Sequence, residues 1–180
     1  WDSLDIPIER TRGFLYIARL DQFLLSGETP DDRELIVAVR GRDGDVMWQQ
    51  EIDFLDRFKF IGAPNDTQVL AYGKLDGDRR LLASMALTDG VEQWRLDSLL
   101  RNDARNRNIL LEPQSDGTAV FYVTKDGPFR LDLASGEVVW RTEDWDEDPP
   151  DRGKARMVVD GELIFVPNGR NVDARRLEDG

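Results

Sequence analysis

Basic side chains recur at matching positions along this chain and are its clearest chemical signal. Four clusters stand out: Arg10 and Arg12; Arg57 and Lys59; Arg101, Arg105 and Arg107; Arg152, Lys154 and Arg156. Arg10 and Arg57 each follow a tryptophan (Trp1 and Trp48) by nine residues. Arg12, Lys59 and Arg105 follow Trp1, Trp48 and Trp94 by eleven. Cations gathered in this way would concentrate an acidic ligand or partner. The alternative is that each pairs with the acid beside it, Glu9, Asp56, Asp103 or Asp151, which leaves little net field. A second cluster, Glu143-Asp144-Trp145-Asp146-Glu147-Asp148, offers the oxygen donors that calcium prefers. It lacks the ordered spacing and glycine turn of an EF-hand, so residues 143–151 read as a solvated acidic loop containing Pro149-Pro150.

Composition removes most other chemistry. Among 180 residues there is no Cys, which excludes disulfides, thiol nucleophiles and Cys/His zinc sites. There is no His either, so the commonest general base and the Ser-His-Asp triad are missing. With 24 Lys+Arg against 36 Asp+Glu the net charge is −12, which argues against nucleic-acid backbone binding. No Gly-x-Gly-x-x-Gly or Walker-type run occurs. No apolar run approaches the roughly 18 residues of a membrane span. Carboxylates are so abundant that no pair marks itself as an acid/base couple. The expectation is therefore no catalytic, cofactor-binding or metal-binding residue. The opening Trp1-Asp2-Ser3-Leu4-Asp5 has neither an initiator Met nor a basic leader region. Either a leader has been removed or the sequence is a piece of something larger.

The elements that must carry these clusters are set by a repeat. Trp48, Trp94 and Trp140 are 46 residues apart, and Trp1 lies 47 before Trp48. Gly44, Gly90 and Gly136 each precede their tryptophan by four residues, in turns reading Arg42-Asp43-Gly44, Thr88-Asp89-Gly90 and Ala134-Ser135-Gly136. Gly and Asp tolerate the positive φ of tight hairpin turns. Aligning the tryptophans predicts four short strands per repeat: Phe14 to Ala18, Phe23 to Ser26, Leu35 to Val39 and Asp45 to Gln49 in the first. The second has Phe58 to Ala63, Gln68 to Lys74, Leu81 to Leu87 and Val91 to Leu96. The third has Ile109 to Pro113, Ala119 to Thr124, Phe129 to Leu133 and Glu137 to Thr142. Three more follow: Ala155 to Val159, Glu162 to Val166 and Val172 to Leu177. Runs such as Leu35-Ile36-Val37-Ala38-Val39 are apolar on both faces and must be covered on both. The stretch from Asp97 to Arg107 reads as a loop with one helical turn at most.

Four-stranded sheets at this period fit β-propeller blades. Arg130-Leu131-Asp132-Leu133-Ala134-Ser135-Gly136-Glu137-Val138-Val139-Trp140 resembles the tryptophan-docking repeat of the quinoprotein-type (PQQ-like) propellers, roughly Ala-x-Asp-x-x-x-Gly-x-x-x-Trp. The Ala position holds Ala38, Ser84, Arg130 and Ala174, and the Asp position holds Arg40, Ala86, Asp132 and Arg176. Gly and Trp are the repeated elements. The resemblance implies an all-β propeller of four-stranded antiparallel blades, about four blades' worth, as an arc of a seven- or eight-bladed ring. Its parts are the last strand of one blade from Trp1, full blades near 10–53, 54–100 and 101–145, and a partial blade over 152–180. Missing chain or a partner would complete the ring. It further implies that Trp1, Trp48, Trp94 and Trp140 pack between blades while Gly44, Gly90 and Gly136 shape turns. The basic clusters (Arg10, Arg12, Arg57, Lys59, Arg105, Arg107, Arg152, Lys154, Arg156) then sit before first strands, at one rim or channel mouth.

The resemblance is nearest the noncatalytic outer-membrane barrel assembly lipoproteins. That implies a scaffold without cofactor, periplasmic or extracellular, binding other proteins through rim and loops. Two other readings carry weight. Quinone-dependent dehydrogenases share the fold and use a calcium-held quinone, but typically with a vicinal Cys pair that this chain lacks. A ligand-sensing propeller domain of a signalling protein is the third.

Overall fold

The computed structural model describes residues 6–52, 56–74, 80–96, 114–124, 127–142, 157–168 and 171–180. Four antiparallel sheets follow one another along the chain, with strand neighbours consecutive in sequence. The first contains β1 (Arg10–Ile17), β2 (Gln22–Glu28), β3 (Glu34–Arg40) and β4 (Val46–Ile52). The second contains β5 (Asp56–Gly62), β6 (Gln68–Lys74), β7 (Arg80–Ala86) and β8 (Glu92–Leu96). The third contains β9 (Gln114–Ser115), β10 (Ala119–Thr124), β11 (Gly127–Asp132) and β12 (Val138–Arg141). The fourth has three strands, β13 (Val158–Asp160), β14 (Leu163–Asn168) and β15 (Asn171–Arg176). A one-turn 3-10 helix, Ala18–Leu20, is the single helical element among the described residues. The chain forms two compact units, residues 1–99 and 100–180, each holding two sheets.

Alternation along the strands decides what each sheet buries. In the first sheet, Leu15, Leu24, Ala38 and Trp48 lie opposite one another across successive strands, and Phe14, Leu25 and Val37 do so on the other face. The tryptophan-bearing face packs on the second sheet. Ile17, Leu24, Ile36, Ala38 and Trp48 form one buried cluster with Phe58, Val69, Ala71, Leu81, Ala83, Met85 and Leu87. On the far face a smaller cluster, Leu35, Val37 and Val39, is partly covered by Ile6 and Ile8. This accounts for the doubly apolar β3, whose alternate residues enter the two clusters. In the second unit Ala119, Phe121 and Val123 pack on Met157, Ile164 and Val166 in the same manner.

The turn after the third strand is built alike in all four described sheets. The amide of Gly44 donates to the carbonyl of Arg40, Gly90 to Ala86, Gly136 to Asp132 and Gly180 to Arg176, at 2.8 to 3.0 Å. These four glycines have φ of +81°, +76°, +73° and +78°, a conformation that side-chain-bearing residues adopt only under strain. A one-residue register shift sits beside the turn in each of the first three sheets, at Ala38/Val39, Ser84/Met85 and Arg130/Leu131.

The expected first strand of the third sheet cannot be compared residue by residue with β9. Ile109 to Pro113 lie outside the described residues, and the strand described in that sheet beside β10 is Gln114–Ser115. Trp1, the segment from Asp97 to Arg107, and the acidic loop 143–151 also lie outside them.

Candidate functional site

Two constructions carry polar and aromatic chemistry, one at each end of the strands of the first unit. The first is the tryptophan dock. Trp48, on β4, stands opposite Ala38, and its small neighbour lets the indole lie flat toward the next sheet. The indole N–H donates to the carbonyl of Leu87 at 2.8 Å, and the Gln22 amide donates to the same oxygen at 3.2 Å. The ring rests on Gly90 so closely that a Cβ there would lie 2.5 Å from its Cζ3. The second unit repeats the arrangement. Trp140 donates to the carbonyl of Leu177 at 2.9 Å, and a Cβ on Gly180 would approach its Cε3 to 3.0 Å. Trp94 is buried as Trp48 is. One face of the Trp48 indole and of the Trp140 indole thus rests on the neighbouring sheet within its unit.

A second clasp beside this dock has no signal in the repeat pattern. Arg19, on the 3-10 turn, donates to the Asp66 carboxylate and to the carbonyls of Asn65 and, at 3.1 Å, Ala63. These residues form the β5–β6 connection. Trp48, Gln22 and Arg19 therefore tie one rim of the first sheet to the second.

The polar closure of the turns varies where the backbone does not. Asp132 accepts from the Ser135 amide at 2.8 Å and its hydroxyl at 2.9 Å. Those two bonds, foremost the backbone one, hold its carboxyl below the usual aspartate range. Arg40, at the equivalent position, instead pairs with Asp43 and Asp45 at 3.0 and 3.2 Å. Ala86 can do neither, and there Asp89 accepts from the Val91 amide at 3.0 Å.

The second construction lies at the opposite end of β1 and contains the first basic cluster. The Arg12 guanidinium bridges Glu28 and Glu34, both at 3.0 Å, with Glu34 buried. Arg10 is largely exposed and lies 3.7 Å from Glu28. Their partners come from the β2–β3 hairpin rather than from adjacent Glu9. Strand neighbours point to opposite faces, whereas cross-strand residues share one. A cavity of about 380 Å³ opens here, lined by Glu9, Arg10, Glu28, Thr29 and Asp32. Lys59, on β5, is exposed, and β5 runs beside β1. The side chains of Arg57, Arg105, Arg107, Arg152, Lys154 and Arg156 lie outside the described residues. Among the described residues no group of three or more acidic side chains is arranged to hold a metal ion, and no helix is long and apolar enough to cross a membrane.

Comparison with known proteins follows the fold. The family model described as outer membrane protein assembly factor BamB matches residues 32–180. No curated protein sequence matches the chain. Among solved structures, BamB from Moraxella catarrhalis aligns with a TM-score of 0.60 at 14% identity, over 88% of this chain and 47% of that one. A europium-containing methanol dehydrogenase aligns with a TM-score of 0.50 at 14% identity, over 75% of this chain and 25% of that one. The WD40 domain of Toxoplasma gondii coronin aligns with a TM-score of 0.50 at 14% identity, over 92% of this chain and 44% of that one. The fold is a β-propeller fold, and the chain spans less than half the length of these three structures.

Proposed function

The chain belongs to the PQQ-like propeller family described by the outer membrane protein assembly factor BamB, and from that premise we propose that it is a noncatalytic scaffold that binds other proteins through the rims and loops of its sheets. The observation that carries this reading is where the aromatic chemistry goes. Trp48 and Trp140, the side chains most suited to stacking on a flat cofactor, are engaged instead by Leu87, Gly90, Leu177 and Gly180. With no His or Cys in the chain, the surfaces left for function are turns and strand ends.

The proposed partner surface is the set of basic residues before the first strands: Arg10, Arg57, Lys59, Arg105, Arg107, Arg152, Lys154 and Arg156. Arg12 shares their sequence position but serves the fold through Glu28 and Glu34. The partner this surface suits is an acidic protein segment, drawn to local positive charge on a chain whose overall charge is −12. The setting consistent with the family is the bacterial periplasm or cell envelope.

A fluorescein-labelled poly-glutamate peptide titrated with the chain tests the partner surface by anisotropy. Binding should weaken as salt rises, because exposed charges are screened over about 8–10 Å. It should be lost in the quadruple variant Arg57→Glu, Lys59→Glu, Arg105→Glu, Arg107→Glu while circular dichroism stays unchanged. No binding at low salt, or equal binding by that variant, would remove the basic rim from the account.

A further inference from the structure

We draw no further inference here: the strongest candidate, the cavity of about 410 Å³ between β4 and the β7–β8 hairpin of the first unit, lined by Glu51, Ile52, Met85, Gly90 and Glu92, carries nothing because its carboxylates are already paired with Arg33 and Arg95 and nothing in the structure shows what covers it.

Discussion

Replacing Gly90 by alanine should be among the most damaging single-methyl changes in the molecule, and its cost should depend on Trp48. Two effects combine. At φ +76° an alanine is strained by about 1 kcal/mol. Its Cβ would also stand 2.5 Å from Cζ3 and 2.6 Å from Cε3 of Trp48, distances that real contacts do not reach. The indole must retreat, giving up its 2.8 Å bond to Leu87, worth about 1 kcal/mol, and part of its packing. Full loss of a buried tryptophan side chain costs about 3–5 kcal/mol, so a partial retreat adds another 1 or so. The expected total is about 3 kcal/mol. In a Trp48→Ala background there is no ring to meet, and Gly90→Ala should cost only the backbone strain of about 1 kcal/mol. Urea melts of the wild type, both single variants and the double variant measure this, with the coupling near 2 kcal/mol. Additivity within about 0.5 kcal/mol would refute the claim that the ring sits on the turn.

Four further outcomes follow from other parts of the structure. Trp94→Ala should cost about 3–5 kcal/mol, whereas Trp145→Ala, out of phase with the repeat, should cost less than about 0.5 kcal/mol; urea melts compare them. Tyr122, stacked on Phe129 at 5.0 Å, has a buried hydroxyl with no hydrogen-bond partner among the described residues, and burial pushes its phenol up. Tyr122→Phe should therefore leave stability unchanged or raise it by about 1 kcal/mol in a thermal melt, and a clear loss would show that the hydroxyl is bonded. Asp132 is held below its usual pKa, so its contribution to stability is present above the unfolded value near 3.9 and is lost as pH falls through the lower folded value. Thermal melts should show Asp132→Ala less stable than wild type at pH 6 by roughly 0.5 kcal/mol, because solvent screens the exposed carboxylate, with the gap narrowing below pH 4. Arg12→Ala leaves buried Glu34 without its 3.0 Å partner and should cost about 1–3 kcal/mol by urea melt, while Arg10→Ala, at an exposed 3.7 Å pair, should cost less than about 0.5 kcal/mol.

The architecture was legible because it rests on features that sequence records directly. Trp48, Trp94 and Trp140 at a spacing of 46, with a glycine four residues before each, mark turns that only a few residue types can form. Doubly apolar runs such as Leu35 to Val39 and Ala119 to Val123 marked the central strands. The degenerate Asp position had a physical reason that sequence hid: the glycine-to-carbonyl bond closes the turn whether its start is Arg40, Ala86, Asp132 or Arg176. Side-chain clasps were less legible. Arg19 meets Asp66 at a separation of 47 residues, one repeat onward, yet an arginine on a short turn gives no periodic signal. The partners of Arg12 were hidden too, because a hairpin register, not sequence adjacency, brings Glu28 and Glu34 to it.

The central claim is that Trp48 and Trp140 join sheets within their units and leave the surface, rather than a cofactor pocket, to do the binding. Titrating the chain with a quinone cofactor in the presence of calcium, followed by tryptophan fluorescence and calorimetry, tests it most directly. The account predicts no saturable change in indole emission and no binding heat. A saturable one-to-one transition that quenches the tryptophans would contradict it and place the chain with the quinone-dependent dehydrogenases.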